Sequence, residues 1–143
     1  MRRTADDGKF IPIKKRAREY VVQALYKYFL SNRLQQPEDI IFQIESQLTS
    51  LHSKPSEKAF FEHVFQGTVS HIDAIDAYIA TTFKGTFQEM HYVEQAIVFL
   101  AIYEMRIMKT PKRFLIAEAL RLSDLFADES FYKKLNAYLD ICE

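Results

Sequence analysis

Apolar residues recur every three to four positions through most of this chain, the spacing of one buried helical face. The clearest stripe lies in residues 14–30, KKRAREYVVQALYKYFL, and predicts a helix that ends near Ser31 and Asn32. Its members are Ala17, Tyr20, Val21, Ala24, Leu25, Tyr28 and Phe29. Val22 and Tyr26 lie off the stripe, so we expect both on outer faces of the helix.

The same spacing predicts further helices joined by short connections. We expect them to begin near Pro37, Ser56, Thr86, Pro111 and Asp128. Gly67 interrupts the longest stripe, so either a kink there or two helices joined at 69–71 is expected. Residues 96–103 contain no polar side chain, and the T-x-x-E spacing of Thr86 and Glu89 is that of a capping box. One central helix over 86–108 is therefore favoured over a buried strand.

The composition favours helices over sheets. The chain has 143 residues, of which 48% are hydrophobic, but only 3 glycines and 4 prolines. A sheet protein would need turn residues every ~8–12 positions. We therefore predict an all-α, single-domain helical bundle of about six or seven helices over residues 14–143, preceded by a flexible basic arm over 1–13.

The charge is uneven although its sum is zero. Residues 1–18 contain seven lysines and arginines against two aspartates, a net charge of +5, which leaves −5 for the rest. Lys14, Lys15, Arg16 and Arg18 crowd the predicted helix start, where the helix dipole disfavours positive charge. This placement points either to an anionic partner such as a phosphate backbone or to a solvated surface. Tyr20 or Tyr26, if exposed, would be available for stacking.

Residues suited to catalysis or metal binding are few. The four histidines lack metal-ligand spacing, the glycines are isolated, and Cys142 lies on an apolar stripe, which indicates a core residue. Glu94 interrupts the most apolar helix, and partner contact and an internal salt bridge are equally good interpretations. The chain shows no secretory signal and no apolar run of ~18 residues, so we expect a cytoplasmic protein outside the membrane.

Several segments resemble the NusB family of bacterial transcription antitermination proteins. Residues 14–30 resemble its R-R-x-A-R-E-x-x-x-Q-A-L-Y opening, and VEQAIVFLAIYEM resembles its V-E-x-A-I-L-R-x-A-x-Y-E-L segment. TPKRFLIAEALRLSDLF and LNAYLD resemble two later family segments. The matches keep the family's order from Lys14 to Ile141.

The resemblance implies an all-helical protein that is not an enzyme and needs no cofactor or metal. It would bind boxA-type RNA together with the small-subunit ribosomal protein NusE, in the transcription elongation complex, and support ribosomal RNA transcription. By position in the family motifs, the RNA-binding residues would be Lys14, Lys15, Arg16, Arg18, Arg113 and Asn136. The residues on the side that receives NusE would be Tyr26, Glu89 and Glu94.

Three departures from the family pattern lie in the C-terminal half. Ala117 replaces an asparagine, Asp124 a lysine, and Lys134 a phenylalanine. Asp124 and Lys134 suggest one alternative, a NusB-like protein-interaction module with weakened RNA binding. A separate alternative is an RNA-holding domain like that of certain ribosomal RNA methyltransferases.

Overall fold

The computed structural model describes residues 4–48 and 54–143, which contain seven α-helices, one 3-10 turn and no β-strand. The helices are α1 (Thr4–Leu30), α2 (Pro37–Leu48), α3 (Pro55–Ser70), α4 (Ile72–Phe83), α5 (Tyr92–Arg106), α6 (Lys112–Phe126) and α7 (Glu129–Asp140). The 3-10 turn, Thr86–Glu89, lies between α4 and α5. The predicted all-α class is confirmed. No helix within the described ranges is long and apolar enough to cross a membrane.

The chain divides into two compact units, Met1–Gln66 and Gly67–Glu143, with the boundary inside α3. In the first unit, α1 packs against α2. In the second, α5 packs against α4 and α6, and α6 packs against α7. The single-domain organisation stays a prediction.

Helix α1 begins earlier than predicted. A flexible arm was expected over 1–13, yet the backbone is helical from Thr4 onward and passes through Gly8 and Pro12 without a break. Once residues 14–30 are helical, each added residue requires only propagation, which is far less costly than nucleation. The lack of an apolar period before Lys14 therefore does not stop the helix. Residues 1–3 of the predicted arm lie outside the described residues.

Helix α1 also buries a wider face than predicted. Every member of the predicted stripe is buried, and Arg18 and Val22 are buried as well, at 3% and 0% exposure. These two lie four residues apart and widen the buried face on the side of Leu25, a member of the predicted stripe. The interpretation of Val22 as outward-facing is therefore wrong, whereas Tyr26 is 40% exposed, as expected.

Helices α3 and α4 are separate and meet at His71, which is one of the two predicted alternatives. Near this join, Tyr103 of α5 packs directly against the backbone of Gly67. A Cβ atom built on Gly67 would lie 2.0 Å from the Tyr103 hydroxyl oxygen and 2.5 Å from its Cζ. The His71 ring lies 5.6 Å from the Tyr103 ring, and its Nδ1 lies 2.8 Å from the Gly67 carbonyl oxygen. The close approach of Tyr103 explains why this helical position carries glycine.

The start of α5 differs from the prediction. The capping box expected at Thr86–Glu89 is a 3-10 turn, and Met90 after it is extended, with φ −77° and ψ 144°, so the helical path is broken there. The helix begins after His91, whose backbone N–H donates to Oε1 of Glu94 at 2.9 Å. This is the carboxylate half of a capping box. Residues 96–103 are buried throughout, as predicted.

Basic and phenolic side chains from three helices hold the end of α7 in place. Lys112 of α6 donates to two carbonyl oxygens there, at 2.6 and 2.7 Å, as basic residues do at helix C-termini. The backbone N–H of Glu143 donates to the Tyr78 hydroxyl at 2.7 Å, and Arg106 donates to the Glu143 carbonyl oxygen. Cys142 is fully buried beside these contacts, so its predicted core position is confirmed.

Two carboxyl groups of the first unit, Glu45 of α2 and Glu62 of α3, form a hydrogen-bonded pair. Burial, followed by this hydrogen bond and the charge of Glu62, raises the pKa of Glu45 to about 7, although Lys58 opposes the rise. The folded chain therefore retains a proton on Glu45 at pH values where the unfolded chain has released it. Stability should accordingly fall as the pH rises from about 4.5 to about 7.

The substitution Glu45→Gln is expected to remove this fall in stability with rising pH. For the unmodified chain, we expect the free energy of unfolding to fall by about 1 kcal/mol between about pH 5 and pH 8, a value reduced for the partial exposure of the pair. Urea unfolding at both pH values measures it. Glu38→Gln, at an exposed carboxylate of α2, is the control and should keep the fall. An equal fall in the Glu45→Gln variant would contradict the assignment.

Candidate nucleic-acid interface

We call Lys14, Lys15 and Arg16, three consecutive cations of α1, the α1 cationic surface. Lys14 and Arg16 are exposed, and Lys15 is half-buried. Because α1 begins at Thr4, these residues lie well inside the helix and not at its start. The dipole effect falls off within the first turn, so the unfavourable placement inferred from the sequence does not arise.

Lys14 and Arg18 both contact the ring of Phe60 on α3. The Lys14 Nζ lies 5.8 Å from the ring centroid and the Arg18 guanidinium carbon 5.2 Å, within cation–π range. Arg18 is only 3% exposed. The structure therefore buries Arg18 against Phe60, whereas the residues of the α1 cationic surface reach solvent.

Arg16 pairs with Glu57, which lies in the first turn of α3. The Arg16 Nε lies 4.0 Å from Oε2 of Glu57, and the two side chains are 54% and 4% exposed. The other carboxylate oxygen, Oε1, is buried without a hydrogen-bond partner among the described atoms. Burial raises the pKa of Glu57, and the charges of Arg16 and then Lys54 oppose that rise. Sequence reasoning missed Glu57, since no local pattern links residues 16 and 57.

The two tyrosines that could stack on a base differ in their exposure to solvent. Tyr20 is 9% exposed, and its ring meets Phe61 edge-on at 6.2 Å, so it belongs to the core. Burial raises the pKa of its hydroxyl. Tyr26 is 40% exposed on the same helix, and its ring is accessible to a partner.

The remaining predicted RNA contacts belong to the second unit. Arg113 is exposed in the first turn of α6. The neighbouring Lys112 donates a hydrogen bond to a carbonyl oxygen at the end of α7. Asn136 is exposed on α7. Asp124 and Lys134, two of the departures from the family pattern, are exposed as well. The structure brings Lys14, Arg16 and Arg18 together around the start of α3, whereas Arg113 and Asn136 lie on the two final helices.

Two of the predicted partner residues share one cavity of the second unit. Glu89 and Glu94 line it together with His91 and Lys134. Glu89 is exposed, while Glu94 is 8% exposed and caps α5 through the His91 N–H. The capping role was neither of the two interpretations drawn from the sequence. Across 4–48 and 54–143, no three histidine, cysteine or acidic side chains cluster in a way that could hold a metal ion.

Comparison with known proteins assigns the chain to a family. A family sequence model with the description NusB family matches residues 15–143. The chain belongs to the NusB family. The resemblance to this family is thereby confirmed.

Relatives of known name support the same assignment. The transcription antitermination protein NusB of Haemophilus influenzae (strain PittEE) is 30% identical over 128 residues, covering 89% of this chain and 85% of that protein. The NusB protein of Actinobacillus succinogenes is 31% identical over 137 residues, covering 95% and 93%.

Solved NusB structures share the fold. A chain in the crystal structure of antitermination factors NusB and NusE in complex with dsRNA has a TM-score of 0.79 at 21% identity, covering 90% of this chain and 94% of that one. T. maritima NusB has a TM-score of 0.77 at 23% identity, covering 89% and 87%. At these identities the likeness establishes the all-helical NusB fold.

Proposed function

We propose that this chain is a transcription antitermination factor that binds boxA-type RNA together with ribosomal protein NusE. It acts in the cytoplasm, within the transcription elongation complex, supports ribosomal RNA transcription and carries out no chemical turnover. The observation that carries the proposal is the α1 cationic surface, on a chain whose named relatives are antitermination proteins.

The α1 cationic surface supplies affinity by neutralising RNA phosphates. Lys14, Lys15 and Arg16 lie on consecutive positions of a helix, and each phosphate they neutralise releases counterions, which makes affinity salt-dependent. Arg113 adds a further exposed cation in the second unit. The side-chain amide of Asn136 can both donate and accept hydrogen bonds at a base edge, whereas a lysine can only donate them.

The partner protein is recognised by Tyr26, Glu89 and Glu94. An exposed tyrosine offers a large apolar area with a polar tip, which is common in protein interfaces. The exposed Glu89 carboxylate can accept hydrogen bonds from a basic partner. Glu94 uses Oε1 for its own helix, and a carboxylate retains acceptor capacity on its second oxygen.

Tyr26→Ala should weaken NusE binding about tenfold and leave RNA binding unchanged, because it removes an exposed ring from the partner surface alone. Isothermal titration with purified NusE measures the first effect and RNA filter binding the second. Tyr132→Ala is the matched control, since Tyr132 is 41% exposed and lies outside the proposed partner residues. Equal losses in the two variants would contradict the partner assignment.

A protein-interaction module without RNA affinity is the second candidate. The exposed Asp124 favours it, because an acidic group stands at a position where the family carries a lysine. Capture of NusE without retention of RNA at about 0.1 M salt would select this candidate.

A further inference from the structure

Glu57 is a buried acidic side chain beneath a cationic surface, and the proposed RNA contacts do not use it. Its side chain is 4% exposed, and Oε1 has no hydrogen-bond partner within the described part of the chain. Burying a carboxylate with one oxygen unsatisfied is costly. The geometry that retains such a group beside Arg16 therefore requires an explanation beyond stability.

Glu57 faces the inner edge of the Arg16 guanidinium. The guanidinium nitrogen nearest to its Oε2 is Nε, at 4.0 Å. The planar group has a second hydrogen-bonding edge, formed by its two terminal Nη atoms. The Arg16 side chain is 54% exposed. An ion pair at the Nε edge leaves the edge formed by the two terminal Nη atoms available for bidentate contact with a phosphate.

We propose that Glu57 is a positioning residue that holds Arg16 with its outer N–H donors directed at an RNA phosphate. This inference rests on the RNA-binding function proposed above. Holding the side chain in place before binding lowers the entropy lost when Arg16 becomes ordered on the RNA. The position of Glu57 in the first turn of α3 favours its negative charge, because the helix dipole is positive there.

The sign of the effect separates positioning from general electrostatics. Removing a negative charge beside a cationic surface should strengthen the binding of a polyanion if only the net charge matters. Positioning predicts the opposite, since Arg16 would lose its fixed orientation. Glu19, a half-buried carboxylate of α1 close enough to raise the pKa of Glu57, serves as the matched control for net charge.

The experiment measures the affinity of the full chain for a boxA-type RNA oligonucleotide across a salt series. Glu57→Gln should bind about five- to tenfold more weakly than the unmodified chain, and its salt slope should shrink by about 0.7 as one phosphate contact is lost. Glu19→Gln should bind at least as tightly as the unmodified chain. Thermal unfolding followed by circular dichroism checks that each variant is folded.

Arg16→Lys provides the second measurement. A lysine has no planar fork to orient, so adding Glu57→Gln to Arg16→Lys should change affinity less than twofold. Glu57→Asp keeps the charge and should recover part of the lost affinity, which also covers the case in which Glu57→Gln does not fold.

Two results would overturn the inference: binding by Glu57→Gln as tight as that of the unmodified chain, or an equal loss in the Arg16→Lys background. Absence of RNA binding by the unmodified chain would instead overturn the proposed function, and this inference with it.

Discussion

Changing Lys14, Lys15 and Arg16 together to alanine is expected to weaken binding of a boxA-type RNA at least ~100-fold at about 0.1 M salt. All three side chains reach solvent on neighbouring positions of α1, and each would neutralise a phosphate. The slope of log affinity against log salt should shrink by about two, since each single-strand phosphate contact contributes about 0.7. Fluorescence anisotropy with a labelled RNA across a salt series measures both quantities.

A control with the same change in net charge separates contact from total charge. Lys27, Lys84 and Lys133 lie away from the α1 cationic surface along the chain, and replacing all three with alanine also removes three positive charges. We expect less than about a threefold loss from this control. If both triple variants lose affinity equally, the α1 cationic surface has no special part in RNA binding.

Gly67→Ala is expected to destabilise the chain by about 3 kcal/mol, although alanine is the better helix former by ~1 kcal/mol. The added Cβ would lie 2.0 Å from the Tyr103 hydroxyl oxygen, and Tyr103 is 3% exposed, so it has little room to move. The expected fall in the thermal midpoint is roughly 10 °C for a chain of this size. Calorimetry of the variant and the unmodified chain measures it.

Tyr103→Phe tests the cause of that loss. It removes the hydroxyl but leaves Cζ, which would still lie 2.5 Å from the new Cβ. The cost of Gly67→Ala should therefore be smaller in the Tyr103→Phe background but not zero. An increase in stability on Gly67→Ala alone, as at an ordinary helical glycine, would show that the two residues are not in contact.

The helical fold was readable from the sequence because periodic apolar stripes mark buried faces directly. The α1 stripe is buried in full, and the join of α3 and α4 falls at His71, within the predicted range. What the stripe did not show was its width. Arg18 and Val22 lie beside the stripe and are buried with it. A run rich in lysine and arginine gives no sign that one of its members packs against an aromatic ring.

The helix starts and the long-range pairs were harder to predict. Two x-x-Glu spacings lie near the start of α5, and it is the one at His91 and Glu94, after the extended Met90, that caps the helix. The pairing of Arg16 with Glu57 joins residues far apart in sequence, so no local pattern encodes it. The cationic residues of the candidate interface could therefore be predicted from the sequence. The pairing of Glu57 with one of them becomes visible only in the folded structure.

The most direct test of the account is the affinity of the unmodified chain for boxA-type RNA, measured with and without NusE from about 0.05 to 0.2 M salt. We expect log affinity to fall linearly with log salt and the affinity at each salt concentration to be higher with NusE. An affinity that does not change with salt, or no RNA binding in either condition, would contradict the account.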